Sequence, residues 1–312
     1  ITNGTVGKGA GVVTSSTTNH KIQQPPPLTT KGNVMGFSAK VLCDSLNPAV
    51  DTTLARLDAS RLTTMELTYP RCIHSEFMTH RLFSRSSASS RAIPVKKMLD
   101  DIREDPFVPI SWGKNQKGMQ AGEELSPETV AECKQRWLFA MEDAVYHASQ
   151  LEYAGLHKQI VNRIVEPWMW ITVIVTGVDL AWENFFSLRC HQDAEPHMQE
   201  IAYMAREAYD GSNPDVLFLE DDHAPLTDIG DYAIDENGDP VRSIAGRMEL
   251  RKISTGRCAR VSYLTHDGRR DIAEDIALHD RLLKDRHFSP FEHVATATTT
   301  TQLGGNFGPR WI

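Results

Sequence analysis

Phe77-Met78-Thr79-His80-Arg81-Leu82-Phe83-Ser84-Arg85-Ser86-Ser87-Ala88-Ser89-Ser90-Arg91 is the stretch on which the reading of this chain turns. Arg81 and Arg85 stand four apart, a spacing that brings two side chains to one side of a helix end. The serines that follow supply hydroxyl and backbone N–H donors in a tight turn, and Arg91 adds a planar fork suited to phosphate. Together they describe an anion site. Taken alone, the segment reads equally well as a solvated polar loop. Its serine-rich part is too polar and too weak in helix propensity for a core helix, so the helix predicted before it runs from Ile73 to about Phe83.

Upstream, Ser38–Cys43 and Leu62–Tyr69 have strand character, the second alternating as Leu-Thr-Thr-Met-Glu-Leu-Thr-Tyr until Pro70 closes it. Residues 1–34 are rich in Gly, Thr, Ser and Asn with few large apolar side chains, which predicts a flexible arm with Met35 as a candidate natural start. Downstream, residues 106–125 read as a loop, and Ser126-Pro127-Glu128 opens a long amphipathic helix to about Tyr153. Further helices are predicted around 157–164, 168–177, 179–188, 195–209 and 270–285, with a Thr-rich strand at 293–301. Residues 210–242 form an acidic, irregular excursion. The whole of 35–312 reads as a single domain.

The chain has 312 residues, 40% hydrophobic and 24% charged, with a formal charge of −8. Its longest apolar stretch, Trp168–Val178, falls short of the roughly 18 residues that cross a bilayer and reads as a buried helix, so no membrane partner is expected. Proteins that grip a polymeric nucleic acid carry a broad basic face. Here basic residues cluster only locally, which suits a small anionic ligand. Five scattered cysteines without a C-x-x-C pair point to free thiols and a cytoplasmic setting. Histidines at 74/80, 191/197 and 287/293 are six apart, which on a helix turns the rings about 240° from each other and argues against zinc. Cys190 and Cys258 flank candidate site segments, yet nothing places a base beside either, and a buried thiol is the better reading.

The arginine segment resembles the signature of flavin-dependent thymidylate synthases: an Arg-His-Arg triplet, seven residues, then Ser, with Arg two positions later. Thr79-His80-Arg81 fall at the triplet, Ser89 at the signature serine and Arg91 at the arginine after it. This chain departs from the pattern at Thr79 for the first Arg, at Ser86-Ser87 for an Asn-Glu pair, and at Glu76 for an upstream Gln. A second match is Asn162-Arg163-Ile164-Val165-Glu166-Pro167 followed by Asn184-Phe185-Phe186-Ser187-Leu188-Arg189, with His197-Met198-Gln199 resembling the family's His-Ala-Gln. A third is Cys258-Ala259-Arg260-Val261-Ser262-Tyr263 with His287-Phe288-Ser289-Pro290-Phe291-Glu292-His293, which resembles segments that open the chain in the family. A circularly rearranged long form accounts for that order, because neighbouring surface termini tolerate permutation. The loop Trp112–Gln120 resembles one carried by longer, rearranged members, and an ordered surface loop accounts for it as well.

The resemblance implies an α/β fold with a largely antiparallel sheet flanked by helices, assembled as a homotetramer. It implies methylation of dUMP at C5 to dTMP, with FAD, NADPH and 5,10-methylenetetrahydrofolate. Arg189 would polarise the pyrimidine, and Ser89 would be a second candidate close to the chemistry, cast as a binding donor. Glu76, Ser89, Ser90, Arg91, Arg163 and Arg189 become candidate nucleotide contacts; Thr79, His80, Arg81, Ser84, Asn184, Ser262, His287, Ser289 and Glu292 become candidate flavin contacts. Two other readings stand beside this one: a flavin-dependent hydroxymethylase of dUMP or dCMP, and a non-catalytic nucleotide-binding relative.

Overall fold

The computed structural model describes residues 36–51, 56–231, 244–261, 271–299, 307–308 and 310–312. The strands are β1 (Ser38–Asn47), β2 (Val50–Asp51), β3 (Arg56–Leu57), β4 (Ser60–Pro70), β5 (Ser84–Ser87), β6 (Trp170–Val178), β7 (Asp215–Val216), β8 (Asp222–His223) and β9 (Ala295–Thr296). The helices are α1 (His74–Phe77), α2 (Val95–Glu104), α3 (Pro127–Tyr153), α4 (Lys158–Val161), α5 (Asp179–Arg189), α6 (Pro196–Asp210), α7 (Ile244–Arg260) and α8 (Ile272–Lys284). A five-stranded sheet of order β5-β6-β4-β1-β7 forms the centre, antiparallel except for the β1–β7 pair. The fold is α/β, a mostly antiparallel sheet flanked by helices, as expected. No helix among the described residues is long and apolar enough to cross a membrane.

The central strand β6 is a correction, because this apolar stretch reads in sequence as a helix over 168–177. Ile171-Thr172-Val173-Ile174-Val175-Thr176 are six consecutive β-branched residues. Their χ1 freedom suffers against a helical turn, whereas they pack well on a pleated surface. From Val173 to Gly177 every side of the strand is buried, so the two-residue alternation that marks a strand is missing.

The helix expected from Ile73 to Phe83 also ends early, at Phe77. The serine run, read as a turn, instead forms edge strand β5, because β6 offers it a ladder from Ser84↔Thr176 to Ser87↔Val173. Ser84 and Ser86 point inward and Arg85 and Ser87 are half-buried, the alternation a strand imposes. β9 is much shorter than the strand predicted at 293–301, and α4 is shorter than the helix predicted at 157–164. Helix α3 starts where predicted: the Ser126 hydroxyl accepts from Thr129 N at 3.3 Å, and Pro127 occupies the first turn.

Two close approaches hold the elements that carry the site. A Cβ on Gly177 would lie 2.6 Å from the Phe83 ring, so glycine lets Phe83 seat against Trp182, centroid to centroid 4.5 Å. A Cβ on Gly256 would lie 2.3 Å from the Asp275 carbonyl oxygen, so glycine lets α7 and α8 touch backbone to backbone. Buried Asp275 joins the same helix pair, accepting from Arg257 Nε (2.9 Å) and Arg260 Nε (2.7 Å). The 3₁₀ turn Ser289–His293 follows α8 and packs on β5.

Candidate functional site

Aromatic packing sets the first half of the site. Phe77, Phe83 and Phe185 stack around His80, whose ring meets the Phe185 edge at 4.9 Å. Fixed there, the His80 Nε2 accepts a hydrogen bond of 2.9 Å from Arg189 Nε, contributed by the last residue of α5. Burial, with Arg189 and Arg85 close by, pulls the His80 pKa down to about 4. The ring is therefore neutral at physiological pH and remains an acceptor. Arg85 closes the turn by donating to the carbonyls of Met78 (2.8 Å) and His80 (3.2 Å). Burial lowers the Arg85 pKa. Thr79, His80, Arg81, Asn184 and Arg189 line one cavity of about 300 Å³.

The second half is a larger cavity of about 680 Å³. Ser89, Arg91, His287 and Ser289 line it, together with Arg85, Ser86 and Arg286. Three arginines and no carboxylate face this space, an arrangement that attracts phosphate or pyrophosphate. Leu282, Phe288 and Pro290 supply an apolar wall. The Ser289 hydroxyl donates to the Arg85 carbonyl at 3.0 Å and lies 3.1 Å from the Ser86 hydroxyl, so residues more than 200 positions apart meet at one wall.

Arg286 reaches the cavity by an unusual route. His287 N bonds to Leu282 O (2.9 Å) and Arg286 N to Leu283 O (3.2 Å), the paired bonds of a Schellman cap on α8. Arg286 therefore sits at the left-handed position, φ +58°, where glycine is usual. That turn carries both Arg286 and His287 to the cavity.

The remaining candidates fall elsewhere. Ser90 is buried and donates to Glu166 Oε1 at 3.0 Å, which also pairs with Arg71 (3.1 Å) and with the exposed Arg163 (3.4 Å). Arg163 lines neither cavity. Ser84 is 1% exposed and opens to neither. Glu76 is half-buried outside both, its carbonyl accepting from the Thr79 hydroxyl at 2.7 Å. Glu292 is exposed near Arg85 and adds negative potential there. Ser262 lies outside the described residues, as do the arm at 1–34 and residues 232–242 of the acidic excursion. His197 accepts from Ile110 N at 3.0 Å and pairs with Glu195, so it anchors the 106–125 loop to α6. Burial pushes the thiols of Cys190 and Cys258 up to about 11 and about 12, and neither offers a thiolate at neutral pH.

Sequence reasoning missed Arg286, Ser86 and His293. Arg286 had no signal beyond its place beside His287. Ser86 reads in sequence only as part of a polar turn, and His293 only as the last residue of the third matching segment.

Residues 61–214, just under half of the chain, match the family model described as thymidylate synthase complementing protein. Among solved structures, the chain resembles a UMP/dUMP methylase, PolB, from Streptomyces cacaoi bound with 5-Br UMP. The identity is 18%, the TM-score 0.41, and the match covers 48% of this chain and 67% of that one. The same enzyme bound with 5-Br dUMP matches at 16% identity and TM-score 0.38, covering 48% of this chain and 65% of that one. No curated protein sequence matches.

Proposed function

We propose that this chain alkylates C5 of a uracil nucleotide, converting dUMP to dTMP with FAD, NADPH and 5,10-methylenetetrahydrofolate. One observation carries the reading. Inside the segment that matches the thymidylate synthase complementing family, Arg189 is held on a neutral, buried histidine and faces a cavity shared with Arg81 and Asn184.

With its Nε committed to His80, Arg189 makes no other side-chain hydrogen bond among the described residues, and its terminal NH₂ groups are left for a ligand. A fixed positive charge beside a uracil ring stabilises the negative charge that spreads over O2 and O4 as the N3 proton leaves. That same charge shift enriches C5, the carbon to be alkylated. Because His80 stays uncharged, it holds Arg189 in place without competing with it as a cation.

The larger cavity supplies the phosphate end, with Arg91, Arg286 and Ser89 as donors. The apolar wall formed by Leu282, Phe288 and Pro290 suits a flat ring system, so the residues fit a flavin dinucleotide as well as a nucleotide. When bound, reduced flavin supplies the electrons and the folate the one-carbon unit. In this reading Ser89 orients phosphate, the segment order is a permuted form of the family's, and the enzyme works as a cytoplasmic homotetramer.

Purified protein is expected to take up FAD, to change its flavin absorbance on addition of dUMP, and to yield a nucleotide heavier by a methyl group. A hydroxymethyl mass would redirect the reading to the hydroxymethylase. Protein that binds neither FAD nor dUMP would sink it.

A further inference from the structure

A single file of hydrogen bonds runs from the wall of the larger cavity through the sheet to β1. From the cavity inward it links Ser289 Oγ to Ser86 Oγ (3.1 Å), Ser86 Oγ to His293 Nε2 (2.9 Å) and His293 Nδ1 to Thr176 Oγ1 (2.8 Å). It continues from Thr176 to Thr64 Oγ1 (2.6 Å), from Thr64 to His223 Nε2 (2.8 Å), and from His223 Nδ1 to Ser45 Oγ (2.8 Å). Thr64, Thr176, His223 and His293 are fully buried, and Ser45 and Ser86 are nearly so. The β4–β6 register sets Thr64 directly opposite Thr176.

Each link in such a file has one proton to give. A hydroxyl donates once, and a neutral imidazole donates from one nitrogen and accepts at the other. Burial keeps both histidines neutral, pushing each pKa down to about 3. One end of the file is anchored. Ser289 Oγ lies 3.0 Å from the Arg85 carbonyl, which accepts and cannot donate. At that separation a proton pointing elsewhere would leave two lone pairs facing each other, so the Ser289 proton lies on the Arg85 carbonyl.

Everything behind it then follows. Ser289 must accept from Ser86. Ser86, its proton used, must accept from His293 Nε2–H. His293 Nδ1 must accept from Thr176, Thr176 from Thr64, and Thr64 from His223 Nε2–H. His223 Nδ1 must then accept, from the Ser45 hydroxyl at 2.8 Å or from the Cys43 thiol, which reaches the same nitrogen at 3.4 Å.

We infer that the file is oriented throughout toward the cavity, with His223 and His293 both in the Nε2–H tautomer, so that Ser86 and Ser289 present only hydrogen-bond acceptors to a ligand. The wall of the larger cavity is then of two kinds: arginines that take an anion, and a serine pair that takes an N–H or O–H group. A ligand carbonyl placed against Ser289 would find its one proton already on the Arg85 carbonyl and would have to displace that bond. His223 and His293 act here as positioning residues. The ligand part of this inference rests on the larger cavity being the binding site proposed above; the proton direction does not.

The test is ¹⁵N NMR of the full chain labelled at histidine, without ligand. Both residues are expected to show a protonated Nε2 and a bare Nδ1. A protonated Nδ1 at either residue, or an imidazolium at neutral pH, overturns the inference. Ser289→Ala, at an exposed position that leaves the core intact, removes the anchor. It is expected to convert His293, and His223 beyond it, to mixed tautomers; two unchanged tautomers would refute the anchoring. Saturation with FAD or with dUMP is expected to leave both tautomers in place, and a switch of His293 to Nδ1–H would refute the acceptor wall. Failure of either compound to bind counts against the proposed function and leaves the ligand-free result to decide the proton direction.

Discussion

Arg286 is held in a backbone conformation that suits glycine, at the point where its side chain is aimed into the larger cavity. Replacing it separates the two consequences. The left-handed conformation costs an L-residue about 1–2 kcal/mol, and glycine removes that cost while losing roughly 0.4–1 kcal/mol to the greater freedom of its unfolded chain. Arg286→Gly is therefore expected to be about 0.5–1 kcal/mol more stable than Arg286→Ala, since the alanine variant keeps the strain and lacks the same guanidinium. Both variants are expected to weaken binding of inorganic phosphate or dUMP by about tenfold, the worth of one charge-assisted hydrogen bond. Urea unfolding of the three proteins and calorimetric titration with phosphate read the two effects. The reasoning fails if alanine equals or exceeds glycine in stability. It fails equally if either variant binds phosphate as tightly as the parent.

Three further perturbations test the packing and the buried charges. Acid should destabilise the protein before its carboxylates titrate, because His80, His223 and His293 have folded pKa values of about 4, 3 and 3. Their contribution is complete above the ordinary histidine value of about 6.5 and is lost below it, at no more than about 1.4 kcal/mol per pH unit for each ring; a urea midpoint that does not fall between about pH 7.5 and pH 5.5 would contradict this. Gly256→Ala pushes a methyl into the Asp275 carbonyl across the α7–α8 contact, and thermal melts should show a loss of about 1–3 kcal/mol although alanine is the better helix former. Arg257→Met leaves Asp231 and Asp275 buried with one fewer cationic partner, which should cost about 3–5 kcal/mol; a variant that melts like the parent would contradict this.

The parts of this fold that the sequence announces are those whose signal is local. Ser126-Pro127 marks the start of α3 by its own chemistry, and the alternation in Leu62–Tyr69 marks β4 because that strand has unequal faces. β6 gives no such signal, since burial on both faces erases alternation. The arginine segment stands out by composition, and five of its candidate site residues do line the two cavities: Thr79, His80, Arg81, Ser89 and Arg91. Its strand β5 was hidden because a serine run has little strand preference until a partner ladder is present. The polar file is the least legible feature. Its six inner members come from six separate elements, and each, taken singly, is an ordinary serine, threonine or histidine. Arg286 shows the same limit in another form: the helix end expected near 285 is met at Lys284, yet with the usual glycine absent nothing in Asp285-Arg286-His287 announces a left-handed cap.

The meeting of Ser86 with His293 also constrains how the molecule is made. During synthesis the edge strand emerges some 200 residues ahead of the turn that completes its hydroxyl partnership. Pairings this distant close large loops and form late. The nascent chain can assemble β1, β4 and β6 early, yet its larger cavity lacks one wall until residues 286–293 have left the ribosome. Translational pausing or truncation before that point would leave a sheet with an uncovered serine edge and no finished pocket.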